Sequence, residues 1–430
     1  MTAVAVAVFV GSYVLIATER VHRTVAALIG AGLMLALKVV TAEEAFHSTE
    51  LGIDWDVIFL LFGMMIIVAV LRRTGLFEYV AIWSAKRARG RPLRIMVTLS
   101  VVTAIASALL DNVTTVLLVA PVTILVAERL GVSAVPFLVA EIMASNIGGT
   151  ATLVGDPPNI IIASEAQLSY TAFLVNLAPI ALITLALFML VARFLFRRDL
   201  QVSPDRVAEV MELDEREAIT DGGLLIRSLL VLALVTVGFL LHSAIGYDPA
   251  TVALLGGGVL VLVARRDTGE LLRDVEWGTL VFFMGLFVMV GSLVKVGTID
   301  VIARQAASAT GGSVLVATML ILVVSAVLSG FVDNIPYVAA MAPVVGTLTG
   351  TLGGGDATGN VLWWALALGA DFGGNLTIVG ASANVVVVGL AGRAGFPIRF
   401  LDFLKYGMVV TAMSIGVSAL YLWLRYFVLT

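Results

Sequence analysis

The sequence has no cysteine among its 430 residues. That excludes disulfides, thiolate metal sites and thiol nucleophiles. Histidine is nearly as scarce. His22, His47 and His242 stand far apart without HExxH spacing, so no metal site is assigned. Charge is low too: 13% of residues are Asp, Glu, Lys or Arg, against ~25% in soluble domains. A soluble enzyme and a nucleic-acid binder are both excluded. The chain is 60% hydrophobic, and roughly a quarter of even a large domain's unfolded surface stays exposed to water. No phosphate-cradling loop followed by Lys is present, so neither a cofactor nor a catalytic residue is expected. The N-terminus MTAVAVAVF lacks the basic region of a signal peptide and reads as the start of a first membrane helix.

What the chain does have is long apolar sequence, with a mean hydropathy of +1.07. This is the composition of an all-α polytopic membrane protein. A spanning helix needs ~20 mostly apolar residues. Segments 2–18, 24–40, 55–71, 173–196, 223–243, 249–264, 277–294 and 405–427 fit. Two more, 134–168 and 360–392, are apolar but broken by Gly, Pro or Asn. Segments 95–128 and 313–349 are apolar with a polar centre and read as re-entrant hairpins. Cytoplasmic loops are enriched in Lys and Arg, and the loop at 72–94 is strongly basic. Placing it inside leaves only Lys38, Lys295, Arg304 and Arg425 outside. The expected topology has ten crossings, two hairpins and both termini outside. Trp83, Trp363, Trp364 and Trp423 lie near segment ends and are expected at the interface.

The chain repeats itself. At an offset of 222, Gly75 meets Gly297, Asp111 meets Asp333 and Asn112 meets Asn334. The offset then becomes 225, pairing Gly148 and Gly149 with Gly373 and Gly374, and Asn159 with Asn384. The expected organisation is a first repeat at 1–196, a charged cytoplasmic linker at 197–222 and a second repeat at 223–430. Each repeat has five crossings, so the two are inverted, an arrangement common in secondary transporters.

Four polar breaks interrupt the apolar sequence: LDNVTT at 110–115, SNIGGTATLVGDPPN at 145–159, VDNIPY at 332–337 and ADFGGNLTIVGASAN at 370–384. Pro157 and Pro158 cannot donate a backbone hydrogen bond. Gly148, Gly149, Gly373 and Gly374 admit backbone shapes other residues resist. Backbone groups freed at membrane depth are tolerated only inside protein or beside a water-filled cavity. Asn112, Thr114, Asn146, Asn334 and Asn375 offer neutral donors and acceptors for a solute. Asp111, Glu141, Asp156, Asp333 and Asp371 fall in apolar segments where few Lys or Arg accompany them. An acid there is paired, protonated or bound to an ion, so these five are the candidates for proton or cation coupling. Each Asp also suits the N-cap of a following half-helix.

These four motifs resemble the ion transporter superfamily, within it the branch of bacterial arsenite permeases and the pigment-cell P protein. The likeness covers about residues 20–425. It implies an elevator-type fold: two oppositely oriented hairpins and two unwound helices around one central site. In sodium–carboxylate relatives the hairpin tips resemble Ser-Asn-Thr; here they read Asp111-Asn112-Val113 and Asp333-Asn334-Ile335. Two added acids repel a dianion and suit proton exchange with a neutral or cationic solute. The resemblance therefore implies export of arsenite or antimonite across the cytoplasmic (inner) membrane in exchange for protons. Alternatives within it are an Na⁺/H⁺ antiporter, a carboxylate or other anion transporter and an anion channel. A homodimer, and a soluble ATPase partner as in some arsenite pumps, are further expectations of the likeness.

Overall fold

The computed structural model of the chain describes residues 1–18, 20–196, 211, 214–265, 267–352 and 360–429. Most of the expected linker (197–210, 212 and 213) lies outside the described residues, as do 353–359 of the Gly-rich stretch before the second broken segment.

The described residues form twenty α-helices and no strand. The first ten are α1 (Thr2–Ala17), α2 (Arg23–Ala36), α3 (Ala42–His47), α4 (Trp55–Arg72), α5 (Leu76–Arg87), α6 (Pro92–Leu109), α7 (Asn112–Leu130), α8 (Val135–Gly149), α9 (Pro157–Glu165) and α10 (Tyr170–Leu195). The second ten are α11 (Gly222–Ile245), α12 (Pro249–Ala264), α13 (Thr268–Arg273), α14 (Trp277–Lys295), α15 (Thr298–Ala309), α16 (Val314–Phe331), α17 (Asn334–Thr351), α18 (Val361–Gly373), α19 (Ser382–Arg393) and α20 (Phe400–Trp423).

Each helix of the first ten has a counterpart ten places later. α5 and α15 both have 12 residues, and α6 and α16 both have 18. The local rules repeat as well. Gly75 and Gly297 precede α5 and α15 at φ 79° and 74°, a left-handed conformation that only glycine adopts cheaply.

Eight helices are long and apolar enough to cross a membrane: α4, α6, α7, α10, α11, α14, α16 and α20 with its π-helical extension to Val428. The segments read from sequence as 2–18, 24–40 and 249–264 form shorter helices of 16, 14 and 16 residues. At 1.5 Å per residue these reach about 21–24 Å, short of a ~30 Å hydrocarbon core.

The helices pack in two groups. A frame joins α1, α2, α4, α11, α12 and α14, with α4 against α12 and α2 against α14. A core joins α6–α10 to α16–α20, with α6 against α8, α16 against α18, α7 against α19 and α9 against α17. The two halves thus interlock in both groups. α4 and α14 run antiparallel, because their ends are tied crosswise. Arg73, just beyond α4, pairs with Asp274 at 2.7 Å and Glu270 at 3.0 Å, just ahead of α14. Lys295, ending α14, pairs with Glu44 at 2.6 Å, ahead of α4.

Two of the tryptophans expected at the interface are not there. Trp363 and Trp364 are buried, and Trp364 meets the Phe173 ring edge-on at 5.2 Å. Their helix α18 lies inside the core, so proximity to a segment end did not mean proximity to lipid headgroups. Trp83 and Trp423 are exposed.

Candidate functional site

The four breaks meet in the core. Each hairpin pair, α6–α7 and α16–α17, turns at its Asp-Asn dipeptide, and the Asp caps the second helix. Asp111 Oδ1 accepts from Thr114 N at 2.7 Å, and Asp333 Oδ1 accepts from Ile335 N at 3.0 Å. This aims the following Asn inward. Asn112 and Asn334 are both buried.

Both amides converge on one carboxylate. Asn112 Nδ2 donates to Asp156 Oδ2 at 2.7 Å, and Asn334 Nδ2 donates to both Asp156 oxygens at 3.3 Å. Asp156 occupies the N-cap position of α9, yet its side chain makes no capping hydrogen bond. Pro157 and Pro158 have no N–H to offer, and the N–H of Asn159 is spent on the Asp156 backbone carbonyl at 3.0 Å, so the carboxylate is left for the tip amides. Asn112 also donates to Asn146 Oδ1 at 3.2 Å. Asn146 Nδ2 in turn donates to Asn375 Oδ1 and Asn384 Oδ1, each at 3.0 Å. Four of the five expected solute residues therefore form one buried network with Asp156. The fifth, Thr114, stands apart, its backbone N–H spent on capping by Asp111.

The breaks are held by matching bonds. Asn159 Nδ2 donates to the carbonyls of Gly149 and Thr152, and Asn384 Nδ2 to those of Gly374 and Thr377. A Cβ on Gly148 would run into the Ala104 backbone, and one on Gly373 into the Ala326 backbone. Asn159 and the glycines thus shape the site without joining the network, whereas Asn384 does both.

The remaining acids differ. Asp371 is fully buried beside Thr150 and Asn159, but neither of its oxygens makes a hydrogen bond among the described residues. Glu141 sits away from the network and accepts from Thr123 Oγ1 at 2.6 Å. Asn112 Oδ1 and Asn375 Nδ2 are also buried and unpartnered among the described residues. Buried polar atoms are normally satisfied, so the site keeps free acceptors and a free donor.

Few cations are expected near these acids, and Asp333 has one. Arg23, at the start of α2, pairs with Asp333 Oδ2 at 3.1 Å and bonds Ser382 Oγ. The signal for it is weak, because Arg23 lies 310 residues from Asp333 in sequence and at the edge of an apolar run. A cavity of about 340 Å³ opens beside Arg23, lined also by Asp333, Ser382, Val379 and Val386. A cavity of about 230 Å³ lies at the starts of α4 and α12, lined by Asp56 and Asp248, and one of about 410 Å³ lies between α14 and α17, lined by Glu50, Asp54 and Asp300. The crevice between the tips, bounded by Asp111, Ile335, Pro157 and Arg23, has about 20 Å³, room for about one water. The network is closed off in this conformation.

Residues 13–369 match a family model described as "Citrate transporter". The chain belongs to this citrate transporter family. An uncharacterized transporter of Mycobacterium tuberculosis (strain ATCC 25618 / H37Rv) is 57% identical, with 100% of both chains covered. The human P protein is 33% identical over 97% of this chain and 59% of its own length. The citrate transporter family falls within the ion transporter superfamily, so the likeness read from the four breaks is borne out. Two solved transporters share the fold. Alcanivorax borkumensis YdaH has a TM-score of 0.60 at 16% identity, covering 94% of this chain and 97% of that one. Neisseria gonorrhoeae MtrF, described as illuminating a class of antimetabolite efflux pumps, has a TM-score of 0.61 at 14% identity, covering 94% and 85%. This member of the citrate transporter family is a multi-pass membrane transporter.

Proposed function

We propose that the chain is a secondary active transporter of the cytoplasmic membrane that exports arsenite and antimonite in exchange for protons. The observation that carries this reading is the buried network itself. It offers unpartnered acceptors on Asp371 and Asn112 and an unpartnered donor on Asn375. Arg23, the cation beside the tips, is already paired with Asp333, which leaves it unavailable to an anionic solute. Such a set suits a small neutral hydroxylated solute, which both donates and accepts hydrogen bonds. Trivalent arsenic and antimony hydroxides are neutral at pH 7.

Asp156 is the proposed coupling group, with Asp371, Asp111 and Asp333 around it and Glu141 as a separate acid in the same core. While ionised, Asp156 holds both hairpin tips through Asn112 and Asn334. A proton on it weakens these charge-assisted bonds, each worth about 1.5–3 kcal/mol, and lets a tip part. Proton binding and opening are thus linked at one carboxylate. Residues 1–196 and 223–430 act as inverted repeats, with α6–α7 and α16–α17 as the re-entrant hairpins. The antiparallel placement of α4 and α14 supports this.

A second reading is favoured by Arg23 and by the family's description. A cation at the mouth of the 340 Å³ cavity suits a carboxylate, and a citrate-like anion is then the solute. Everted vesicles decide between them. With arsenite and antimonite, an imposed pH gradient is expected to drive accumulation that citrate and sodium leave unchanged. Uptake of citrate with sodium, and none of arsenite, overturns the lead reading.

A further inference from the structure

Arg23 belongs to the frame, but its partners belong to the core. Its helix α2 packs on α1 and α14. Its guanidinium reaches Asp333 at the start of α17 and Ser382 at the start of α19, both core helices. On its own side it is held by Thr279 Oγ1 at 3.4 Å and by the Phe282 ring, 5.3 Å from the centroid. Asp333 is followed directly by Asn334, which donates to Asp156. A short path therefore runs from the frame, through one ion pair and one hairpin tip, to the central carboxylate.

The other half has nothing equivalent among the described residues. α12 carries the matching stretch TVALLGG at 251–257, where α2 has TVAALIG at 24–30, and Ala250 stands in the place of Arg23. Asp111, the counterpart of Asp333, makes only its helix cap and lines the narrow crevice that Arg23 also lines. The groups around the guanidinium are Asp333, Ser382, Thr279, Glu276, Asp111 and the neighbouring His22. One cation thus faces the acids of both tips but is bound to one.

We propose that Arg23 is a tethered counter-ion that latches the core to the frame with the Ser382 cavity open, and that its release from Asp333 is a step of every transport cycle. It acts as a positioning residue through Asp333. The chemistry is that of a half-buried ion pair: attraction at 3.1 Å holds the two groups together, and removing either partner leaves the other uncompensated. The latch rests on the carrier reading but is independent of which solute is carried.

The lack of cysteine makes a direct test available. Val386→Cys places a single thiol in the cavity beside Arg23. Its labelling by a membrane-impermeant maleimide, in everted vesicles without solute, reports how often the cavity is open. Arg23→Gln is expected to slow labelling at least threefold. Asp333→Asn is expected to match it, and the double variant to add nothing. Arg23→Lys keeps the charge but cannot serve Asp333, Ser382 and Thr279 together, so it should fall between wild type and Gln. Equal rates in wild type, Lys and Gln variants overturn the latch, as do independent effects of the two single variants. Should the Gln variant not fold, the Lys variant decides alone, and a wild-type rate overturns the proposal. Failure of arsenite transport leaves this readout untouched, so the two ideas fail separately.

Discussion

The two broken segments, 145–159 and 370–384, share a skeleton and differ in charge. Ser107 Oγ donates to Ser145 O at 2.8 Å, and Ser329 Oγ to Ala370 O at 2.6 Å. Thr152 Oγ1 donates to Ala108 O, and Thr377 Oγ1 to Gly330 O, both at 2.6 Å. Within this common skeleton, Asn146 and Asp156 of the first segment correspond to Asp371 and Ala381 of the second. The acid has moved from one side of the Gly-Gly break to the other. Only the first segment's acid receives both tip amides. What the halves share builds the breaks, and what they do not share assigns the proposed coupling to one carboxylate.

Four sets of substitutions test that contrast. The largest effect is expected at Asp156. Asp156→Ala removes the acceptor of both tips and should cut solute-driven transport by roughly a hundredfold, given about 1.5–3 kcal/mol per charge-assisted bond. Adding Ala381→Asp should not restore it; restored flux in vesicles would show the segments to be interchangeable. Next come the shared glycines. Gly148→Ala and Gly373→Ala each force a methyl into backbone, and both should lower stability by about 1–3 kcal/mol. Thermal unfolding in detergent should show similar falls, and a fall in one alone would mean that the skeletons are not equivalent.

Smaller differences separate the tips. Asn112 donates to Asp156 at 2.7 Å and Asn334 donates to it at 3.3 Å, so Asn112→Ala should slow transport more than Asn334→Ala, by roughly threefold, a fraction of the about 1.5–3 kcal/mol that a charge-assisted bond carries. The reverse order would make the second hairpin the stronger partner. The smallest effect lies at the tie between α3 and α14. Lys295, with Thr41, pulls the Glu44 carboxyl down to about 2. A carboxyl lowered on folding adds stability that is present above its ordinary value near 4.5 and lost as pH falls toward about 2. Glu44→Gln should flatten that acid limb by lowering the unfolding midpoint slightly at neutral pH, a small change because the pair is exposed, and by leaving the value near pH 2 unchanged.

Much of this architecture is legible in the amino-acid order. The 222 and 225 offsets place Asn159 opposite Asn384, and the two make matching bonds. The tip amides Asn112 and Asn334 stand where the polar centres of the apolar stretches put them. The individual acids are harder to read. Asp111 and Asp333 cap helices as short-range chemistry favours, yet Asp156 does not, because the two prolines after it have no N–H and that of Asn159 goes to the Asp156 backbone carbonyl. Glu141 accepts from Thr123 on a neighbouring helix through one of its oxygens, a contact that no spacing along one chain segment reveals. Arg23 escapes a reading of the chain for the same reason on a larger scale.

Composition, period and missing N–H groups are local or additive properties of a chain. They suffice to dictate the solvent, the duplication and the places where helices break. Which acid the tips share, which acid stays unpartnered and where the nearest cation goes are settled by tertiary packing. Those outcomes depend on hydrogen bonds between residues up to 359 positions apart, and such contacts exist only once the two halves have interlocked.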